Sequence, residues 1–334
     1  MQLLNHLEFC NKQCPKLRIR QLDFQSTSQH SEEFMWNTAE KILYLTAMGG
    51  QSSQPITASS TCKLLYEPWR QIDWGKKQES LQYVNDYKPF DENQKLRILL
   101  CGQCGAGKSS FINSVQSVLR GRMYRQALAA NTSGDSFTKK NTTYKIQRER
   151  PDKFYPFVFN DIMGLSGIKG VLVDDIKQSL QGHVKDNYKF NTDSKLEEGS
   201  EHFNKAPTNN DVVQVLVCVA AADTLSVMSD DVLRKFKEIR KETSQLDVPQ
   251  IAILTKVDAA CPEVKKDLKN VYRCKRLKEM MESFSANTEI PMNSIFLIKN
   301  YHEEINLNDD IDSLILNVLT HILNTGEDFV NRKL

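Results

Sequence analysis

The sequence has no apolar run long enough to cross a bilayer as a helix. Its longest, residues 212–222, is interrupted by Gln214 and falls well short of the ~20 residues that a span needs, so it reads as a buried strand. Charge of one sign is not in excess either: 44 Lys and Arg face 42 Asp and Glu among 334 residues. The broad positive field that drives sequence-independent nucleic-acid binding is therefore missing, and no polynucleotide partner is expected. Residues 1–7 lack the basic and apolar segments of a secretory signal. Position 2 is Gln2, where myristoylation needs glycine, and residues 331–334 hold no cysteine to prenylate. These absences lead to the expectation of a cytoplasmic chain without a membrane anchor, in which the glycosylation patterns at Asn131 and Asn141 carry no meaning. The eight cysteines lack the paired spacing of a zinc site, and in a reducing compartment they are expected as free thiols.

What is present falls into three parts. Residues 1–65 show weak periodicity and a Ser- and Gln-rich tract over 51–61. Residues 66–94 form a lead-in, with Pro68-Trp69-Arg70 and Trp74 ahead of a helix expected over 76–87; its tryptophans are expected to pack it onto the main domain. From residue 95 to 334, apolar strands alternate with amphipathic helices. Strands are expected over 96–101, 142–148, 155–160, 212–220, 250–254 and 294–298. Helices are expected over 108–119, 171–180, 229–242, 275–285 and 309–323. This alternation specifies an α/β fold: a mostly parallel six-stranded sheet with helices on both faces, whose ligands bind at the C-terminal strand ends. The acidic, Asn-rich stretch 187–211 reads as a solvated insertion, with a partner or dimer surface as the alternative.

Gly102-Gln103-Cys104-Gly105-Ala106-Gly107-Lys108-Ser109 matches G-x-x-x-x-G-K-[ST] between an expected strand and an expected helix. Glycines let successive backbone N–H groups converge on phosphate oxygens, and the helix N-terminus adds partial positive charge. In this P-loop Lys108 is assigned to the β- and γ-phosphates, Ser109 to Mg²⁺, and Ser110 completes the contacting set. Asp161 stands at the end of a neighbouring strand, the one expected over 155–160, and is the second group toward Mg²⁺. Asp161-Ile162-Met163-Gly164 fits D-x-x-G, whose glycine N–H can report the γ-phosphate. Thr255-Lys256-Val257-Asp258 fits [NT]-K-x-D at the end of its own strand. A carboxylate there accepts from guanine N1–H and the exocyclic amine, a donor pair that adenine lacks. Lys299 and Asn300, after the last strand, are placed near the guanine carbonyl. Thr138 is the choice for the loop that senses γ-phosphate and a further Mg²⁺ ligand, with Thr132, Thr142 and Thr143 competing. The expected ligands are thus GTP or GDP with Mg²⁺, and Lys108 and Thr138 are the candidate catalytic residues.

With Pro68-Trp69-Arg70, Trp74, Gly102 to Ser109, Asp161 to Leu165, Gly182-His183, Tyr188-Lys189-Phe190-Asn191, Thr255 to Asp258, Cys261-Pro262-Glu263-Val264, Asn300-Tyr301-His302 and Asn308-Asp309-Asp310-Ile311-Asp312, the chain resembles the interferon-induced protein 44-like family. That resemblance implies a GTPase-like protein of the innate immune response, antiviral or antiproliferative, interferon-stimulated and cytoplasmic, acting with protein partners. Relatives can carry an N-terminal TLDc domain, for which residues 1–65 are too short and polar; a truncated remnant is the alternative.

Two functional readings stay open. Many GTPases orient the attacking water with a glutamine after D-x-x-G, but here that position is Leu165. Ser166 and His183 are the nearest polar substitutes, and a surface role suits His183 better. The first reading is a slow or partner-dependent GTPase switch that can self-associate with nucleotide. The second is a non-catalytic scaffold that nucleotide stabilises. An ATP-using kinase fits poorly because of Asp258.

Overall fold

The computed structural model describes residues 62–127, 139–148, 150, 152–167 and 170–333. The chain divides into Met1–Ser60 and Thr61–Leu334, and all described residues belong to the second unit. Thr138, Thr132 and the proposed TLDc remnant lie outside the described residues.

Six strands form one sheet: β1 (Leu96–Gly102), β2 (Thr142–Gln147), β3 (Phe154–Asp161), β4 (Val215–Ala221), β5 (Gln250–Thr255) and β6 (Ile295–Leu297). Their order is β2-β3-β1-β4-β5-β6, parallel throughout except for β2 against β3. The near-continuous apolar runs of β1, β4 and β5 are buried along their length, as a sheet covered on both faces requires. The main helices are α1 (Lys77–Asp86), α2 (Lys108–Leu119), α3 (Val173–Leu180), α4 (Asp230–Gln245), α5 (Lys275–Thr288) and α6 (Asp309–Asn331). This is the expected P-loop NTPase architecture, like a small G domain. The register pairs Leu100 with Asp161, Gly102 with Val219 and Ala221 with Thr255. One edge of the sheet therefore carries the ends of β1, β3 and β5 together.

Three features differ from expectation. Helix α6 runs on to Asn331, past the expected end at residue 323. Its Gly326 lies flat on the sheet, where an added Cβ would come within 2.5 Å of Leu96 Cδ1. Close packing there outweighs the low helix propensity of glycine. The stretch 187–211 is not simply solvated: Tyr188, Phe190 and Leu196 are buried, the two rings meet edge to face at 5.2 Å, and the Leu196 N–H donates to buried Asp175. Three anchors near its start suffice to hold a polar segment down. His183 is half-buried rather than on the surface, stacked on Phe203 at 4.9 Å, with Nδ1 2.8 Å from the Asn204 carbonyl.

The lead-in packs against the sheet domain. Trp69 meets Tyr272 edge to face at 5.5 Å. Arg70 donates to the carbonyls of Ile295 at 2.5 Å and Met292 at 2.7 Å, with its guanidinium over the rings of Tyr272 and Phe296.

Candidate functional site

The P-loop begins where β1 leaves the sheet. Gly102 has φ +148°, and a Cβ there would fall 1.9 Å from the Val219 carbonyl oxygen, so the strand end accepts glycine alone. Gly107, the residue ahead of α2, has φ +93°, and its Cβ would lie 2.9 Å from Asn300 Nδ2. The cradle is thus bare backbone. Lys108 is buried and folds back over the loop, donating to the carbonyls of Gly102 at 2.9 Å and Gln103 at 3.0 Å. Ser109 donates to the Asp161 carboxylate at 2.5 Å, and Asp161 is fully buried. Ser110 uses its carbonyl to accept from the Ser114 hydroxyl one turn on.

The D-x-x-G segment lies directly against this loop. The Leu165 N–H donates to the Gly102 carbonyl at 2.8 Å and the Cys104 N–H donates to the Leu165 carbonyl at 3.3 Å. Gly164 fits because it has no side chain: a Cβ would sit 2.6 Å from Cys104 Sγ and 2.7 Å from the Cys104 backbone nitrogen. Leu165 is 1% exposed, so its apolar side chain belongs to the core.

The residues after β5 and β6 close on the same loop from the other side. The Thr255 hydroxyl, fully buried, donates to the Ala106 carbonyl at 2.6 Å. Asn300 donates through Nδ2 to the Gly107 carbonyl at 3.1 Å. Lys256 takes a left-handed backbone conformation, φ +56°, uncommon for a residue with a side chain and concentrated at functional turns. This bend turns the chain into the short helix Val257–Ala260 that carries Asp258. Lys299 Nζ lies 3.7 Å from the Asp258 carboxylate and 2.8 Å from Glu304. Burial disfavours the Lys299 charge, but the Glu304 hydrogen bond and neighbouring Asp258 hold its pKa above the ordinary value. Burial likewise opposes ionisation of Glu304. The His302 N–H and Lys299 outweigh it and bring the carboxyl down to about 2.

The structure therefore brings together Gly102 to Ser109, Asp161, Gly164, Thr255, Asp258, Lys299 and Asn300. Thr143 is engaged elsewhere, accepting from Asn160. Sequence reasoning missed Glu304 and the backbone bonds that join Leu165 to the P-loop; neither has a local signature. The residues fit a nucleoside phosphate with a small hard cation. The phosphate cradle excludes side chains, and a hydroxyl and a buried carboxylate, the oxygen donors that Mg²⁺ takes, meet beside it.

No family model matches the chain. It is 32% identical over 251 residues to Interferon-induced protein 44 of Mus musculus, covering 75% of this chain and 59% of that protein. To the Homo sapiens protein of that name it is 34% identical over 253 residues, 75% and 56% of the two chains. To Interferon-induced protein 44-like of Homo sapiens it is 31% identical over 251 residues, 74% and 55%. The chain thus spans a little over half the length of these curated relatives. Among solved structures, Toc33 from Arabidopsis thaliana in complex with GDP and Mg²⁺ aligns at a TM-score of 0.41 and 14% identity over 75% of this chain and 92% of that one. That likeness is too distant to bear on ligands, and the fold assignment rests on the sheet order itself. Across the three quarters of its length that align with them, the chain belongs to the interferon-induced protein 44 family.

Proposed function

We propose that this domain binds GTP and GDP with Mg²⁺ and acts as a slow or partner-dependent GTPase switch. The observation that carries the reading is the convergence on the P-loop. Thr255 and Asn300, from the ends of two strands, hydrogen-bond the carbonyls of Ala106 and Gly107, so the loop bearing Asp258 is held at a fixed distance from the phosphate cradle. A carboxylate so held reads the guanine donor pair, while the stem of Lys256 covers the base. Lys108 and the amides of Gly105 to Ser109 take the phosphates. Ser109 and Asp161 would hold Mg²⁺, which neutralises charge on the β- and γ-phosphate oxygens when bound.

Turnover is the weak step in this arrangement. Leu165 cannot orient water, and its backbone is committed to Gly102 and Cys104. A partner or a second copy of the domain must supply that group for hydrolysis to be fast. The names of the relatives support an interferon-induced protein; antiviral and innate immune roles in the cytoplasm, exerted through protein partners, are part of the proposal. Among the described residues no helix is long and apolar enough to cross a membrane. A non-catalytic scaffold is the second reading, favoured by the burial of Leu165.

The test is equilibrium competition of fluorescent GDP with GTP, ATP and XTP, on wild type and Asp258→Asn. Wild type is expected to prefer guanine nucleotides over ATP. The amide is expected to lower GTP affinity by at least ~100-fold and to raise that for XTP, whose ring reverses the relevant donor and acceptor. Equal competition by ATP would overturn the guanine assignment. Phosphate release from bound GTP separates switch from scaffold.

A further inference from the structure

Three buried cysteines that the nucleotide site does not use come together. Cys62, Cys261 and Cys274 are 8%, 0% and 0% exposed, and their sulfur atoms all lie within 4.8 Å of one another. The sequence expectation of free thiols holds for Cys261 and fails for Cys62 and Cys274, which are paired. The three arrive from separate segments: the residues just ahead of the lead-in, the residue after the short helix that bears Asp258, and the N-cap of α5. Backbone bonds fix the meeting. Leu64 bridges Cys274, the Leu65 N–H donates to the Arg273 carbonyl at 2.7 Å, and the Lys275 N–H donates to the Lys63 carbonyl at 3.0 Å. Cys62 and Cys274 are paired as a disulfide, with Cα atoms 6.5 Å apart, and Cys261 Sγ lies 3.0 Å from Cys274 Sγ.

A disulfide accounts for two of these sulfurs and leaves the third buried against it. One ion at the centre of the triangle would engage all three. At a metal–sulfur distance of about 2.3 Å, ligands on one ion sit roughly 3.8–4.0 Å apart; this is wider than the 3.0 Å between Cys261 and Cys274 and within the 4.8 Å that bounds all three, so the disulfide must open and its sulfurs part to admit an ion. All the donors are soft, and thiolates select Zn²⁺ or Cu⁺ over the hard cations of the nucleotide site. The negative charge of a three-thiolate complex is favoured at the start of the 14-residue helix α5, and Lys63, Arg273 and Lys275 adjoin the cysteines in the chain.

We propose that, in the reduced protein, Cys62, Cys261 and Cys274 bind a thiophilic d¹⁰ metal ion, Zn²⁺ or Cu⁺. A thiol reductant converts the Cys62–Cys274 pair to two thiols and is itself oxidised to a disulfide. The ion then displaces three protons, one from each cysteine, and forms three metal–sulfur bonds. The product clips the segment just ahead of the lead-in to the turn three residues beyond Asp258, so the oxidised pair and the metal complex are alternative states of one tether.

The test uses the full chain, reduced, stripped with a chelator and titrated without oxygen with Cd²⁺ as the spectroscopic probe. The expected result is an ultraviolet thiolate-to-cadmium band that saturates at one ion per chain. Mass-spectrometric mapping of alkylation should show Cys62, Cys261 and Cys274 protected together and released by chelator. Cys261→Ser, checked for folding by circular dichroism, should lose the saturable band while still forming the Cys62–Cys274 disulfide under oxidant. No band, protection confined to Cys10 and Cys14, or a band that survives Cys261→Ser would each overturn the proposal. The alkylation map is made on wild-type protein and does not depend on whether the variant folds.

Discussion

Glu304 shows how a residue outside every motif can matter to the site. It holds Lys299 at 2.8 Å, and Lys299 in turn stands beside Asp258. Its carboxyl lies at about 2 in the folded protein against an ordinary 4.5. A depressed carboxylate stabilises the fold above the unfolded value and loses that contribution as pH falls through the folded one. The stabilisation is therefore complete near neutral pH, declines below 4.5 and is gone near 2. Because the pair with Lys299 is partly open to solvent, with the Glu304 side chain 26% exposed, screening reduces the effect to roughly 1 kcal/mol. Chemical denaturation of Glu304→Gln should show that deficit at neutral pH and none at the acid end. An equal deficit at both ends would mean that packing, not charge, holds the residue. Binding should respond as well: with Glu304 neutral, Lys299 is free to pair more closely with Asp258 and compete with guanine, so GDP affinity should fall.

At the scale of elements, helix α1 is joined to α6 along its whole length. Lys77 bridges Asp309 at 2.7 Å and fully buried Asp312 at 2.6 Å, Tyr83 bonds Asn324, and Tyr87 donates to Glu327 at 2.9 Å. Tyr301 also donates to Asp312 at 2.6 Å, so the same carboxylate ties the lead-in to the loop after β6. Removing the cation leaves a buried charge poorly compensated. Lys77→Met is expected to cost about 3 kcal/mol, a fall in Tm of roughly 6–12 °C for a domain of this size, read by calorimetry; a change within about 1 kcal/mol would show that Tyr301 alone suffices. This tie was not legible in the sequence, whereas the strands and helices were. A period of two or of 3.6 is written in neighbouring residues, and the P-loop, D-x-x-G and T-K-x-D motifs each sit at a strand end that such periods locate. The partners of Lys77, the contacts of Asn300 and the meeting of Cys62 with Cys274 are pairings between distant segments, and no local pattern encodes them. The left-handed turn at Lys256 was hidden for a related reason, since nothing in its residue type asks for that conformation.

At the scale of the molecule, the proposed nucleotide pocket is the place where separate segments depend on one another. The P-loop is held by Leu165 on one side and by Thr255 and Asn300 on the other, so a ligand that orders the loop should stabilise both flanks together. Nucleotide at 100 times its dissociation constant adds about 2.7 kcal/mol to the folded state, worth roughly 5–11 °C in Tm. Lys108→Ala separates this effect from the intrinsic fold. The two carbonyls that Lys108 engages lie on the loop itself, and that of Gly102 still accepts from the Leu165 N–H after the substitution. The variant without ligand is therefore expected to melt within a few degrees of wild type, while the rise on adding GDP and Mg²⁺ should disappear. Protease protection should follow the same division: nucleotide guards the β3–α3 segment of wild type around Gly164, and not that of the variant. A rise in Tm that persists in Lys108→Ala would place the nucleotide somewhere other than this P-loop.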